Sequence, residues 1–303
     1  MNYIDTTLPN IIEAKEKHYS GIIDSIYSRI DNITDLFVKT IFDNHINPYL
    51  DIIISGNPYE LLVCHNRIEP YLIPLVKASI QEVFKYQGWF DQKKKTMYDA
   101  YDLASNLDIP TCIYCNRIYT KTVVNPSKIT RPTFDHWFPK GKFPLLALSF
   151  FNLIPSCSIC NSGVKGDNPF QLSTHFHPYL KQENDFELRF KFSYVHKNYS
   201  EFKFKIINNN DFSKNSTEAF KLKEIYETHE DEIIDLRRLR DMYSDKYLEM
   251  LKKNILKGTS TSDEEIYRLA FGTHIDETKF DRRPLSKMKK DILEELGILK
   301  NEK

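Results

Sequence analysis

Long apolar runs are missing from this 303-residue chain. None approaches the roughly 18–20 residues that a membrane-spanning helix needs. The first residues, Met-Asn-Tyr-Ile-Asp-Thr-Thr, lack the basic-then-apolar order of a secretory signal. Both absences lead us to expect a soluble, cytoplasmic protein with no membrane partner. Net charge is missing as well: 42 Lys and Arg balance 42 Asp and Glu, which removes a whole-molecule attraction to nucleic acid. Glycine is scarce, and none of the nine falls in a Gly-x4-Gly-Lys-Ser/Thr loop, so the chain has no ATP-binding loop of this type. Cysteine is limited to five residues, too few and too paired in spacing for a disulfide scaffold in a cytosolic chain. Internal repeats and low-complexity tracts are absent. What remains is 41% hydrophobic and 13% aromatic, enough to bury a core and too apolar for a disordered chain.

The patterning predicts a mainly helical α+β fold in three parts: 1–110, 111–180 and 181–303. In the first, Ile22, Ile23, Ile26, Ile30, Ile33, Phe37 and Ile41 recur at helical steps and predict one amphipathic helix. Further helices are expected from Pro74 to Phe90 and from Met97 to Asn106. The run Lys93-Lys94-Lys95 reads as a solvated helix start, and Cys64 in Leu-Leu-Val-Cys as a buried thiol. In the third part, Phe186–Val195 and Phe202–Ile207 alternate apolar and polar residues and predict a hairpin. A long helix is expected from Ser216 to Ile255, then a linker at 258–262, a capping box opening at Ser262 and a short basic helix after Pro284.

The middle part carries the chemistry. Cys112-Ile-Tyr-Cys115 and Cys157-Ser-Ile-Cys160 are two C-x2-C pairs. Each pair brings two thiolates to one ion from a tight turn, and together they complete a closed tetrahedral site. A structural Zn2+ held by Cys112, Cys115, Cys157 and Cys160 is the expectation. An iron site would use the same ligands. From Cys112 to Phe170 there are seven Lys and Arg against two Asp, a local basic excess suited to an anionic substrate.

Between the pairs lie Asp135 and His136, adjacent in a segment, Arg131–Phe138, that reads as a strand. Neighbouring strand residues point to opposite faces, so the two cannot fill one core face together. A carboxylate suits a hard cation, Mg2+ or Mn2+, and an imidazole can take a proton from water. Phosphodiester hydrolysis uses both. Asn161, directly after Cys160, can offer its amide oxygen to the same cation, an ordinary helix cap being the alternative. Asn152 stands where the chain returns from a loop and can tie the loop backbone. Lys165 lies four residues beyond Asn161 and could reach a phosphate. Lys140 and Lys142 are candidates for backbone contacts, and His175 and His177 read as ordinary histidines.

The order Cys-x2-Cys, Asp-His, Asn, Cys-x2-Cys-Asn resembles the HNH endonucleases of the ββα-metal superfamily, in the four-cysteine branch that includes phage recombination endonuclease VII. The match spans about residues 112–170, and its last position is Asn rather than His, a variant seen in the family. The resemblance implies a ββα core, with Asp135 and Asn161 as ligands of a catalytic Mg2+ or Mn2+, His136 as general base and Asn152 as a brace. It also implies a nucleic-acid substrate, DNA before RNA, and cuts that leave 5′-phosphate and 3′-hydroxyl ends. A further expectation from the kind of family makes the chain the nuclease subunit of a bacterial anti-phage or restriction system, since such proteins with large helical flanks often work beside an ATPase or sensor partner. The competing expectation is a zinc-stapled module that binds nucleic acid or protein without catalysis.

Overall fold

The computed structural model describes residues 1–91, 97–168, 170–181, 183, 187–196, 202–242 and 262–299. Within these the chain is mainly helical and carries two small antiparallel sheets of two strands each. No helix among the described residues is long and apolar enough to cross a membrane. The Lys93-Lys94-Lys95 run, Phe186, the expected helix beyond residue 242 and linker residues 258–261 lie outside the described residues.

The first 110 residues form α1 (Pro9–Asp31), α2 (Leu36–Ile41), α3 (Leu50–Ser55), α4 (Pro58–Ile68), α5 (Pro74–Val83) and α6 (Ala100–Leu107). The single helix expected through Ile41 is two helices. Asp35 caps α2 by accepting the Val38 N–H at 3.0 Å, and the Lys39 ammonium reaches back to the Ile30 carbonyl and the Asp31 carboxylate. The short polar residues Asp31, Asn32, Thr34 and Asp35 are of the kind that offer the backbone caps a continuous helix would forgo. The helix expected to Phe90 stops at Val83, where Phe84 (φ −95°, ψ 34°) and the extended Lys85 (ψ 112°) leave helical geometry. Gly88 at φ +74° takes a conformation that favours glycine and keeps the helix from resuming through it. Cys64 is buried in α4, where burial pushes its thiol up to about 11, in keeping with a packing role.

Strands β1 (Thr133–His136) and β2 (Leu153–Ser156) pair in antiparallel register, Asp135 opposite Ile154 and His136 opposite Leu153. Beyond them, Ile159–Lys165 forms a short, wide-turned helical segment. The flanks hold this middle part from two sides. The His18 Nε2–H of α1 donates to the Leu148 carbonyl at 2.7 Å, and the Ser149 hydroxyl donates to the Ile53 carbonyl of α3. The loop between β1 and β2 therefore rests on the N-terminal helices.

The C-terminal part contains the expected hairpin, β3 (Phe190–His196) with β4 (Phe202–Asn208). The long helix expected from Ser216 is divided into α7 (Asp211–Ala219), α8 (Leu222–Glu227) and α9 (Glu230–Met242). Lys221, at φ +49°, turns the chain between α7 and α8. The capping box at Ser262 opens α10 (Asp263–Phe271), and α11 (Ser286–Glu295) is the helix expected after Pro284. Segments before α11 clasp the first cysteine pair: the Thr111 hydroxyl donates to the Asp281 carbonyl, and the Leu285 N–H to the Asn116 carbonyl.

Candidate metal centre and adjoining carboxylate–histidine site

Both cysteine pairs are local turns. The Asn116 N–H returns to the Cys112 carbonyl at 2.7 Å, and the Asn161 N–H to the Cys157 carbonyl at 3.0 Å. Asn116 takes the left-handed conformation, φ +49°, that closes the first turn. Its buried amide donates to the Thr111 hydroxyl and to the carbonyls of Phe280 and Arg283. These turns carry Cys112, Cys115, Cys157 and Cys160 to one point, where their sulfurs all lie within 4.8 Å of one another and the residues are buried. The Cys115 and Cys157 sulfurs stand 4.0 Å apart. A tetrahedron of sulfurs around zinc has edges of about 3.8 Å, so the four thiols lie within about 1 Å of the spacing an ion demands. None is in a disulfide. Four thiolates with no water position suit a structural zinc ion. Among the described residues, no other group of three or more His, Cys, Asp and Glu comes close enough to hold an ion.

Each cysteine turn sends one side chain to Asp135. The Tyr114 hydroxyl, inside the first C-x2-C, donates to Asp135 Oδ2 at 2.6 Å. The Lys165 ammonium, at the end of the segment leaving the second pair, donates to Oδ1 at 3.0 Å and to the His136 carbonyl at 2.8 Å. All three side chains are almost fully buried. Burial pushes the Asp135 carboxyl above its usual range, while the Lys165 ammonium and the Tyr114 hydroxyl pull it down. The Tyr114 hydroxyl is raised well above its usual value, first by burial and then by the carboxylate, so it stays protonated and donates. Lys165 is thus placed differently from the phosphate contact expected of it. Its ammonium lies 5.2 Å from the Phe170 ring centre, inside the protein.

His136, on the other face of β1, has its Nε2 3.0 Å from the Ala147 carbonyl. A carbonyl only accepts, so Nε2 carries the proton and Nδ1 is left as the acceptor. The ring meets Tyr86 edge-on, with centroids 4.8 Å apart. Burial lowers the imidazole to about 3, so it is neutral at neutral pH. Asn161 is half-buried, and its amide donates to the Phe134 carbonyl at 3.3 Å. That bond fastens it beside β1.

Asn152 stands where the loop returns. Its Oδ1 accepts the Phe138 N–H at 2.7 Å, and its Nδ2 donates to the Phe138 and Leu146 carbonyls at 3.1 and 2.8 Å. The side chain is wholly buried. Asn152→Ala would leave the buried Phe138 N–H and carbonyl unpaired, each costing about 1–3 kcal/mol, while the Leu146 carbonyl keeps the Ser149 N–H. We expect a loss of roughly 2 kcal/mol or more in urea unfolding, and a loss under 1 kcal/mol would remove the brace.

Lys140 and Lys142 lie over the rings of Tyr86 and Phe143, and Arg131 between Tyr101 and Phe134. His175 stacks on Phe170, and His177 is buried among aromatic rings. Tyr114 and Tyr86 were not among the residues the sequence singled out. Tyr114 occupies a variable position of C-x2-C, and Tyr86 is fifty residues from the histidine it touches.

No family model, curated protein or solved structure matches the chain.

Proposed function

We propose that the chain is a zinc-stapled endonuclease of the HNH type that hydrolyses nucleic-acid phosphodiesters, DNA before RNA. The observation that carries this reading is the tautomer of His136. Its Nε2–H is spent on the Ala147 carbonyl, which leaves Nδ1 as the acceptor, on the opposite face of β1 from a carboxylate held by Tyr114 and Lys165. In this reading Nδ1 takes the proton from the attacking water. The hydroxide so formed attacks phosphorus, the bond to the 3′ oxygen breaks, and that oxygen leaves as the 3′-hydroxyl after taking up a proton.

The residues fit a divalent cation in donor type. Each Asp135 oxygen carries one hydrogen bond of the roughly two it can accept, and Asn161, fastened beside β1 through its amide nitrogen, has an amide oxygen of the kind such a cation takes. Asp135 and Asn161 would hold Mg2+ or Mn2+, which commonly binds through one or two carboxylates while keeping several waters. When bound, the cation neutralises charge on the phosphate and on the leaving oxygen. Asn152 holds the loop that supplies the Ala147 carbonyl. An anti-phage role beside an ATPase or sensor partner belongs to this same reading and rests on the family resemblance.

The burial of Asp135 and Lys165 favours a second reading, a zinc-stapled binding module without catalysis. One assay separates the two. Plasmid DNA is incubated with purified protein and Mg2+ or Mn2+, beside His136→Ala, with zinc measured on both. Losing a general base costs about 10²–10⁴-fold, so we expect cutting by wild type and loss on that scale at equal zinc. Equal cutting by both proteins would remove His136 from the chemistry. Absence of cutting by either protein, with any candidate partner present, would favour the binding module.

A further inference from the structure

Building on the nuclease reading, we propose that Tyr114 is a positioning residue, whose hydroxyl fixes the Asp135 carboxylate in the orientation that receives the divalent cation. The argument begins with what the hydroxyl is for. Tyr114 is completely buried, and its ring lies against Phe220 at the end of α7, centroids 4.0 Å apart and planes 23° from parallel. A phenylalanine ring would fill that space equally well. The hydroxyl adds a polar atom to a buried site, a cost unless it is paired, and its partner is Asp135 Oδ2 at 2.6 Å.

The route of that bond is also informative. Tyr114 lies between Cys112 and Cys115, so an ion that fixes those two cysteines also fixes the origin of the tyrosine side chain. The other carboxylate oxygen is held from the second cysteine turn by Lys165. Asp135 is thereby gripped from both halves of the four-cysteine site, which gives that site a task beyond stability. Groups that hydrogen-bond a metal's ligand orient it, and their loss typically weakens metal binding 10–100-fold. Tyr114 touches neither substrate nor cation in this scheme and acts through Asp135.

The test is Tyr114→Phe in the full-length, zinc-loaded protein. Mn2+ binding is titrated by following the free-ion signal in electron paramagnetic resonance, with Asp135→Asn as the reference for a lost ligand. Cleavage is measured across the same Mn2+ range. We expect Tyr114→Phe to keep the zinc content of wild type, to bind Mn2+ 10–100-fold more weakly, and to regain most of its kcat at saturating Mn2+. Wild-type Mn2+ affinity in Tyr114→Phe would overturn the proposal and leave Tyr114 as a core residue. Loss of zinc or of folding in that variant would also overturn it, because the hydroxyl would then serve the core itself. Wild type that neither binds Mn2+ nor cuts would instead remove the nuclease reading, and this role with it. The two failures are therefore told apart by the wild-type titration.

Discussion

Cys157→Ser is expected to empty the four-sulfur site and to unfold the middle of the protein while the N-terminal helices persist. Wild type should carry about one zinc ion per chain, and the variant less than a tenth of that. The scale follows from linkage: structural zinc contributes about 10–16 kcal/mol to the folding of small zinc modules, as much as the whole net stability of a typical domain. Here the ion would join turns centred 45 residues apart, and the segment between them contains β1, β2 and their loop. The flanks reduce the loss. Buried Ile22, Ile26 and Ile30 lie on α1, which packs on α3, α5 and α6, whereas the first cysteine turn is held from outside by the Tyr226 hydroxyl on the Cys115 carbonyl. Hydrogen exchange should therefore show lost protection across 112–165, with α1, α3 and α6 still protected. Chelation of zinc from wild type should reproduce the pattern. Retained protection across 112–165 in a zinc-free variant would reduce the four cysteines to packing.

How much of this arrangement is legible in the sequence depends on the distance over which each feature is determined. A C-x2-C pair is a turn closed by its own backbone, so the spacing alone predicts that Cys112 and Cys115 converge, as do Cys157 and Cys160. The convergence of the two pairs requires only that both serve one ion. The tie made by Asn152 is similarly local, because its partners lie in the loop that it ends. Hydrophobic periodicity performs less well at helix ends. It continues through Ile33 and Phe37, while the break between α1 and α2 is decided by a cap at Asp35 and an ammonium from Lys39. It also runs through Phe220 and Leu222, although Lys221 breaks the helix by adopting positive φ. The least legible features are the polar contacts of Asp135. Tyr114 is 21 residues from it and Lys165 is 30, and nothing in either local sequence pattern marks a partner. The Ala147 carbonyl that fixes the His136 tautomer is backbone, and no side chain identifies it.

The protein should also be acid-labile well above the pH at which carboxylates titrate, with a loss of roughly 4 kcal/mol between pH 7 and pH 5 from two histidines alone. His18 is wholly buried against the rings of Phe90, Tyr98 and Phe150. Its Nε2–H is used on Leu148, and its Nδ1 is buried without a partner. Burial lowers it to about 4. His177 is buried among Trp137, Phe138 and Tyr179, with Nδ1 accepting the Tyr179 N–H and Nε2 unpartnered, and burial lowers it to about 3. In the unfolded chain both would titrate near 6.5. Below that pH the unfolded state takes up protons that the folded state refuses, so stability is complete above about 6.5 and falls as the pH drops towards 4. Each histidine contributes a slope of about 1.4 kcal/mol per pH unit in that window. Urea unfolding between pH 7.5 and pH 5 should show this fall. His18→Gln keeps a donor for the Leu148 carbonyl but cannot titrate, and should remove about half of the two-histidine slope. His177→Gln should do the same independently, since no hydrogen bond or ring contact joins the two histidines. An unchanged slope in both variants would mean that the acid response arises elsewhere and that neither histidine is held neutral by the fold.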